Sequence, residues 1–263
     1  MLAAESLRRL AALVLSFCVL ASGGTARAES PFAHWAAIVV AGDWHAHSGG
    51  PSEAFDNARR DVSKELVRIG FAPDNLRQFS VRPERYKDTT PGKTEPKGIY
   101  DALVALTAKA PDGCLFYFTS HGAPTGVVMD QSILPPGILG AMLDKTCGQR
   151  PTVVIISACF SGVFVPELGS DNRMVLTAAR PDRTSFGCGE ADKYPYFDDC
   201  FLQTTPQAKN FPNLGSQVQA CVAAREIKEG MKPPSEPQLY IGPQLRPVLP
   251  LYAFPPPGVP KGG

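Results

Sequence analysis

The apolar positions fall into segments of two kinds. Short runs apolar at every position alternate with longer stretches where apolar residues recur every third or fourth place. "WAAIVVAGD" (Trp35–Asp43) is of the first kind, a run closed by Gly-Asp that suits a strand buried on both faces. Pro51–Gly70 is of the second kind. Phe55, Ala58, Val62, Leu66 and Ile69 keep helical spacing, Ser52 stands where it can cap the start, and Gly70 stops the helix. Further along, Leu76–Val81 predicts a second strand, Pro96–Ala110 a second helix and "CLFYFTS" a third strand. "GVVMDQSIL" predicts a short hairpin arm. "PPGILGAMLDKTCG" predicts a third helix, with Pro136 in its first turn and Gly148 past its end. "TVVIISA" predicts the fourth strand, Arg173–Arg180 the fifth, Asn213–Met231 a fourth helix and Ser235–Gly242 the last strand. The Lys-, Thr- and Pro-rich stretch Arg82–Glu95 reads as a mobile, solvated loop. Pro181 to about Asp199 reads as another loop, with Glu190, Asp192, Asp198 and Asp199 as solvated charge.

Strands alternating with helices predict an α/β fold: a mostly parallel, six-stranded sheet with helices on both faces. In such sheets the ligand sits beyond the carboxyl ends of the strands. Two of the buried strands end there in a reactive side chain followed by small residues. "FYFTSHGAP" delivers His121 and "VVIISACFSG" delivers Cys159. Neighbouring strands lie about 4.8 Å apart, so an imidazole leaving one end can meet a sulfur leaving the next. A nearby imidazole favours the thiolate, which is the nucleophile. Gly122 lets a carbonyl approach the backbone, the amides of Gly122 and Cys159 can face one oxyanion, and Gly162 lets the chain turn away sharply. Taken singly, a cysteine ending an apolar strand is simple core as readily as a nucleophile. The joint pattern is what points to chemistry.

The ends of the chain change the picture of its location. Arg8 and Arg9 precede an apolar run from Leu10 to Ala21, and Ala26-Arg27-Ala28 is a small-x-small triplet. Residues 1–28 therefore read as a secretory signal peptide cut after Ala28, too short to span a bilayer. The expected organisation is the signal peptide at 1–28, one domain at 29–245 and a Pro-rich irregular tail at 246–263. The chain is expected to be exported, to the periplasm or beyond. Without Cys18, six cysteines remain: Cys114, Cys147, Cys159, Cys188, Cys200 and Cys221. An oxidising compartment makes disulfides available to them. Cys114 opens the third strand and Cys147 closes the helix leading back to the fourth, so both fall at the edge opposite His121 and Cys159. They are one candidate pair, with two buried free thiols as the alternative reading; Cys188 and Cys200 are the next candidate pair.

Composition narrows the function classes. The 263 residues are 44% hydrophobic and 19% charged, with a net charge of +1 and no long run of one sign. That disfavours nucleic acid or an anionic membrane as the main partner. A peptide or protein substrate is expected, with no membrane span in the mature chain. No phosphate-binding glycine loop, Gly-x-Ser-x-Gly elbow or Cys-Gly-Ser-Cys block occurs. His45 and His47 lack an evident third ligand for a metal and read as solvated loop histidines. No cofactor is expected.

"FYFTSHGAP" followed by "VVIISACFSG" resembles the His and Cys blocks of the legumain-like cysteine peptidases, relatives of the caspases. "WAAIVVAGD", "FDNARRDV", "VLTAARPDRTSFGC" and "SEPQLYIG" fall in that family's order, so the likeness runs over roughly Trp35–Gly242. It implies a caspase-like fold and a cysteine endopeptidase acting through a thioester acyl-enzyme. His121 would be general base and acid, Cys159 the nucleophile, and Gly122 with Cys159 the oxyanion hole. Ser185, within "RTSFGC", would lie near the specificity pocket. Enzymes of this kind that cut after Asn carry an acid two positions before the nucleophile, where this chain has Ser157. Their pocket arginine has no clear match in "HSGGPSEAFDN"; Arg59 or Arg60 are the nearest substitutes. Asp43 is a candidate to orient His121. A transamidase or transpeptidase would use the same dyad, and a non-catalytic caspase-like binding module would keep the fold without the reaction.

Overall fold

Every residue of β1 (Trp35–Ala41) is buried, as are all those of β4 (Gly113–Thr119) and β8 (Thr152–Ser157). Such strands have apolar side chains on both faces and need a layer of helices above and below. The computed structural model describes residues 29–256. The expected signal peptide and the last seven residues, 257–263, lie outside the described residues.

The main sheet has seven strands in the order β10-β9-β8-β4-β1-β2-β3, where six were expected. Besides β1, β4 and β8 it holds β2 (Leu76–Ser80), β9 (Arg173–Thr177) and β10 (Gln238–Ile241). The additional strand, β3 (Gly92–Lys93), lies within the stretch read from sequence as a mobile loop. That stretch is braced. Thr94 is buried and donates to the Ala41 carbonyl at 2.9 Å, and the Arg82 guanidinium lies 4.7 Å over the Trp44 ring. All pairings are parallel except β10 with β9, which is antiparallel. A separate sheet of β5 (Gly122–Ala123), β6 (Gly126–Met129) and β7 (Ser132–Leu134) follows β4.

Alternation along the strands separates two cores. Trp35, Ala37 and Val39 of β1, Leu115 and Tyr117 of β4, and Val153 and Ile155 of β8 face one side. There they meet α1 (Ala54–Ile69), α5 (Tyr196–Thr204) and α6 (Phe211–Glu229). Ala36, Ile38, Phe116, Phe118, Val154 and Ile156 face the other side, against α2 (Pro96–Lys109), α3 (Pro136–Thr146) and α4 (Phe164–Leu168). The α5 helix begins inside the stretch read as a loop. Phe197, Cys200 and Phe201 keep i, i+3, i+4 spacing and are buried, so the segment folds down onto the sheet. Among the described residues, the Pro-rich tail from 246 to 256 is irregular apart from one helical turn at Leu249–Leu251. It is nonetheless tied down, since Phe254 packs edge-on against Phe211, 5.0 Å between ring centres.

Cys114 and Cys147 form a disulfide at the amino ends of β4 and β8, with Cα atoms 6.0 Å apart. The proposed Cys188–Cys200 pair does not form. Packing of α5 on α6 brings Cys200 to Cys221, with Cα atoms 5.7 Å apart, and Cys188 stays free on a loop at the other end of the sheet. The Cys114–Cys147 bridge closes a separation of 33 residues. In the chain-entropy model a loop of that size contributes about 3–4 kcal/mol. A Cys114→Ala, Cys147→Ala double variant should lose that much in denaturant unfolding. Non-reduced peptide mapping should recover Cys114 with Cys147 and Cys200 with Cys221; recovery of a peptide linking Cys188 to Cys200 would contradict the fold.

Candidate active site

Parallel pairing of β4 with β8 runs in register up to Thr119 opposite Ser157. Ser120 continues it by donating its amide to the Ser157 carbonyl at 3.1 Å. One step further come His121 and Cys159. The two backbones touch there: a Cβ added to Gly122 would stand 1.9 Å from the Cys159 carbonyl oxygen. Any side chain at 122 would push the His121 segment off the Cys159 segment. After Cys159 the chain turns abruptly. Phe160 sits in the left-handed region at φ 56°, and its amide donates to the Arg183 carbonyl at 2.7 Å. Gly162 then lets Arg180 and Pro181 pack against the turn, where a Cβ would come within 2.5 Å of Pro181.

The imidazole of His121 is held on two sides. Its Nε2 lies 3.0 Å from the His45 carbonyl oxygen, and Phe55 meets its ring edge-to-face at 5.0 Å. A carbonyl only accepts, so Nε2 carries the proton and Nδ1 of the neutral ring is left with its lone pair. Asp43 does not orient His121. Its Oδ1 instead accepts from the Trp44 amide at 2.6 Å, the His45 amide at 3.1 Å and His45 Nδ1 at 2.7 Å. Asp43 thereby shapes the turn whose carbonyl meets His121, acting at one remove. His45 is accordingly part of the site, its side chain 35% exposed, and differs from the solvated loop residue expected.

The sulfur of Cys159 rests on Ser185. The Ser185 amide donates to Sγ at 3.3 Å, and its carbonyl and hydroxyl oxygens each lie 3.6 Å away. No hydrogen bond joins Cys159 to His121 among the described residues; Gly122 and its contact with the Cys159 carbonyl bring the two segments together.

Two loops wall the site and are laced to each other. The His47 amide donates to the Cys188 carbonyl at 3.2 Å, Ser48 Oγ to Glu190 at 2.6 Å and Ser52 Oγ to the Gly189 carbonyl at 3.2 Å. Ser185, expected near the specificity pocket, lies against the Cys159 sulfur. Ser157 and Arg59 are not pocket groups. The Ser157 hydroxyl is buried and donates to Asp198 at 2.7 Å. Arg59 is 0% exposed, with Nε on Asp56 at 2.9 Å and its guanidinium also on Gln78 and Thr89. Arg60 pairs with Asp61.

Asp198 is the residue that sequence reasoning placed furthest from its surroundings. Read as solvated charge, it is 0% exposed and accepts from Tyr117, Thr119 and Ser157. Burial pushes its carboxyl up to about 6, against the pull of the three hydroxyl donors. The spacing Phe197, Cys200, Phe201 is the one signal that could have put it on a buried helix. Asp199, next to it, pairs with Arg225 at the surface.

The family model described as the Peptidase C13 family matches residues 57–225. A search of curated protein sequences finds no match. Among solved structures, the crystal structure of caspase-1 from Spodoptera frugiperda superposes with a TM-score of 0.59 at 15% identity, covering 81% of this chain and 88% of that one. At that identity the likeness shows the fold, which is caspase-like.

The second free thiol differs in character from a nucleophile. Burial, then the charges of Cys159 and Asp192, push the Cys188 thiol up from 9.0 to about 11. At pH 8 that leaves about a hundredth of the thiolate an ordinary cysteine would have. Iodoacetamide should therefore label Cys188 roughly a hundredfold more slowly in the folded protein than in the urea-unfolded chain, as read by peptide mass spectrometry. Equal rates in the two states would show that Cys188 is not held in this environment.

Proposed function

The chain belongs to the Peptidase C13 family, that of legumain, and from this premise we propose that it is an exported cysteine endopeptidase with Cys159 as nucleophile and His121 as its acid and base. The observation that carries the reading is the contact of Gly122 with the Cys159 carbonyl, since it fixes the His121 and Cys159 segments against each other at the carboxyl ends of adjacent strands.

In the proposed reaction His121 Nδ1 takes the Cys159 proton, and the thiolate attacks the substrate carbonyl carbon. The carbonyl π pair moves to oxygen, where the amides of Gly122 and Cys159 receive it. Collapse of that intermediate breaks the carbon–nitrogen bond. The amine leaves with the proton from His121, and a thioester on Cys159 remains. Water, deprotonated by His121, cleaves the thioester to give a carboxylate and the free thiol. The His45 carbonyl favours this cycle because it holds the ring in one tautomer and stabilises the imidazolium that forms. Export is supported by the leader-like pattern of residues 1–28 and by the two disulfides. Among the described residues no helix is long and apolar enough to cross a membrane.

A library of quenched fluorescent peptides gives the first test. Cys159→Ala should reduce cleavage to background. His121→Ala should lower kcat by roughly 10²–10⁴-fold, with the melting temperature of each variant close to that of the parent. Retention of full turnover by either variant would remove that residue from the mechanism. Labelling of Cys159 by a thiol-directed probe in a His121-dependent manner separates an enzyme from a binding module, and product mass separates hydrolysis from transfer to an amine.

The same library reports on preference. The residue two before the nucleophile is Ser157, turned inward to Asp198, and Arg59 is fully buried with its Nε on Asp56 and its Nη1 on Gln78 and Thr89. No acid–arginine combination of the kind used for Asn recognition stands at these positions. Cleavage should therefore not be dominated by Asn before the scissile bond; a profile in which Asn leads at that position would contradict the assignment.

A further inference from the structure

A fully buried carboxylate lies beneath the two strand ends that carry His121 and Cys159. Asp198 of α5 accepts from Tyr117 Oη at 2.5 Å on Oδ1, and on Oδ2 from Thr119 Oγ1 at 2.9 Å and Ser157 Oγ at 2.7 Å. Thr119 is the last residue of β4 and Ser157 the last of β8, and the two are register partners. Each stands two residues before a reactive side chain, and residues two apart in a strand share a face. One oxygen atom thus joins the final side chains of both strands, on the face from which His121 and Cys159 depart.

The surroundings do not call for a charge. Asp198 is flanked on its helix by Phe197, Cys200 and Phe201, all buried in the apolar layer against the sheet. An apolar residue would fill such a position at lower cost than a carboxylate. What a carboxylate does there, and an apolar side chain does not, is accept from donors on two strands at once. Past Thr119 and Ser157 the backbone ladder thins to the single Ser120–Ser157 bond, and beyond it the two chains meet where Gly122 lies against the Cys159 carbonyl. The bridge sits at that last rung.

We propose that Asp198 is a positioning residue for the Cys159–His121 chemistry: by tying Thr119 to Ser157 it fixes the spacing of the nucleophile and its base. The inference rests on the reading of those two residues as catalytic. Asp198 touches no substrate and acts through the strand ends. A shift of about 1 Å between reacting groups costs on the order of a hundredfold in rate, so small loosening at this rung is readable in turnover.

The test uses the full chain and Asp198→Asn, which keeps the shape but turns one acceptor into a donor. On a peptide that the parent cleaves, kcat should fall at least about tenfold with KM within about twofold, and alkylation of Cys159 should slow in parallel. The melting temperature should hold or rise, because the neutral amide relieves the desolvation of a buried charge, whereas a merely structural role would appear first as a lower melting temperature. Ser157→Ala and Thr119→Val each remove one arm of the bridge. Both should lower kcat at constant KM, and adding either to Asp198→Asn should cost little more, as expected for groups acting as one unit. If Asp198→Asn does not fold, the two arm variants carry the test alone. A kcat within about twofold of the parent in Asp198→Asn, or in both arm variants, overturns the proposal. A parent chain that neither cleaves peptides nor shows His121-dependent labelling of Cys159 overturns the functional reading instead.

Discussion

The parallel pairing of β4 with β8 is the constraint on which the site depends. Six register partners, from Cys114 opposite Thr152 to Thr119 opposite Ser157, run the length of both strands. Backbone hydrogen bonds set the spacing between the strands, and side chains on both faces lock the register, because a slip by one residue would turn each strand's apolar set to the wrong core. At one end the register is fastened by Cys114–Cys147, at the other by Thr119 and Ser157 sharing an oxygen of Asp198. His121 and Cys159 inherit their proximity from this ladder. The loops around them have only to choose orientation: the His45 carbonyl for the imidazole, the Ser185 backbone for the sulfur.

Asp198 shows what the arrangement costs. A carboxyl raised from 3.8 to about 6 in the folded state binds its proton more tightly there than in the unfolded chain. The corresponding stability is present below the unfolded value and is lost as pH rises from about 4 to about 6. At neutral pH the ionised group therefore opposes folding by on the order of 3 kcal/mol, as an isolated term. Tyr117 is drawn into the same balance; burial and the adjacent carboxylate push its hydroxyl well above 10, so it remains a donor. A fold held by two disulfides and two apolar cores tolerates such a term.

The sequence showed the frame because the frame is periodic. Continuous apolar runs marked β1, β4 and β8, and the positions of His121 and Cys159 followed from where those runs stop. The Cys114–Cys147 contact was legible for the same reason, since a crossover helix returns to the edge where its strands begin. Most of the failures share a cause: they concern residues with partners distant in sequence. Ser157 looked available for substrate until Asp198, 41 residues away, was seen to take its hydroxyl. Arg59 looked like a pocket cation, yet Gln78 and Thr89 arrive from β2 and the loop beyond it. Cys200 was assigned to a loop neighbour, and the packing of two helices decided otherwise. Asp43 failed differently, through a local detail: its carboxylate is used up by the amides and ring of the next two residues, leaving a main-chain carbonyl to do the orienting.

That carbonyl has a consequence for the chemistry. A carboxylate beside His121 would hold the imidazolium strongly and bring a full negative charge close to a sulfur that must itself become negative. A backbone carbonyl supplies direction and a partial charge only, which suits a thiol, already far more acidic than a serine hydroxyl. Two carboxylates close to the strand ends are kept occupied instead: Asp43 by the turn at Trp44 and His45, Asp198 by three hydroxyls beneath the sheet end. With His121 steered by a dipole, Cys159 by the Ser185 amide and Cys188 held protonated by burial, the charge free to develop at the site is that of the reacting groups themselves.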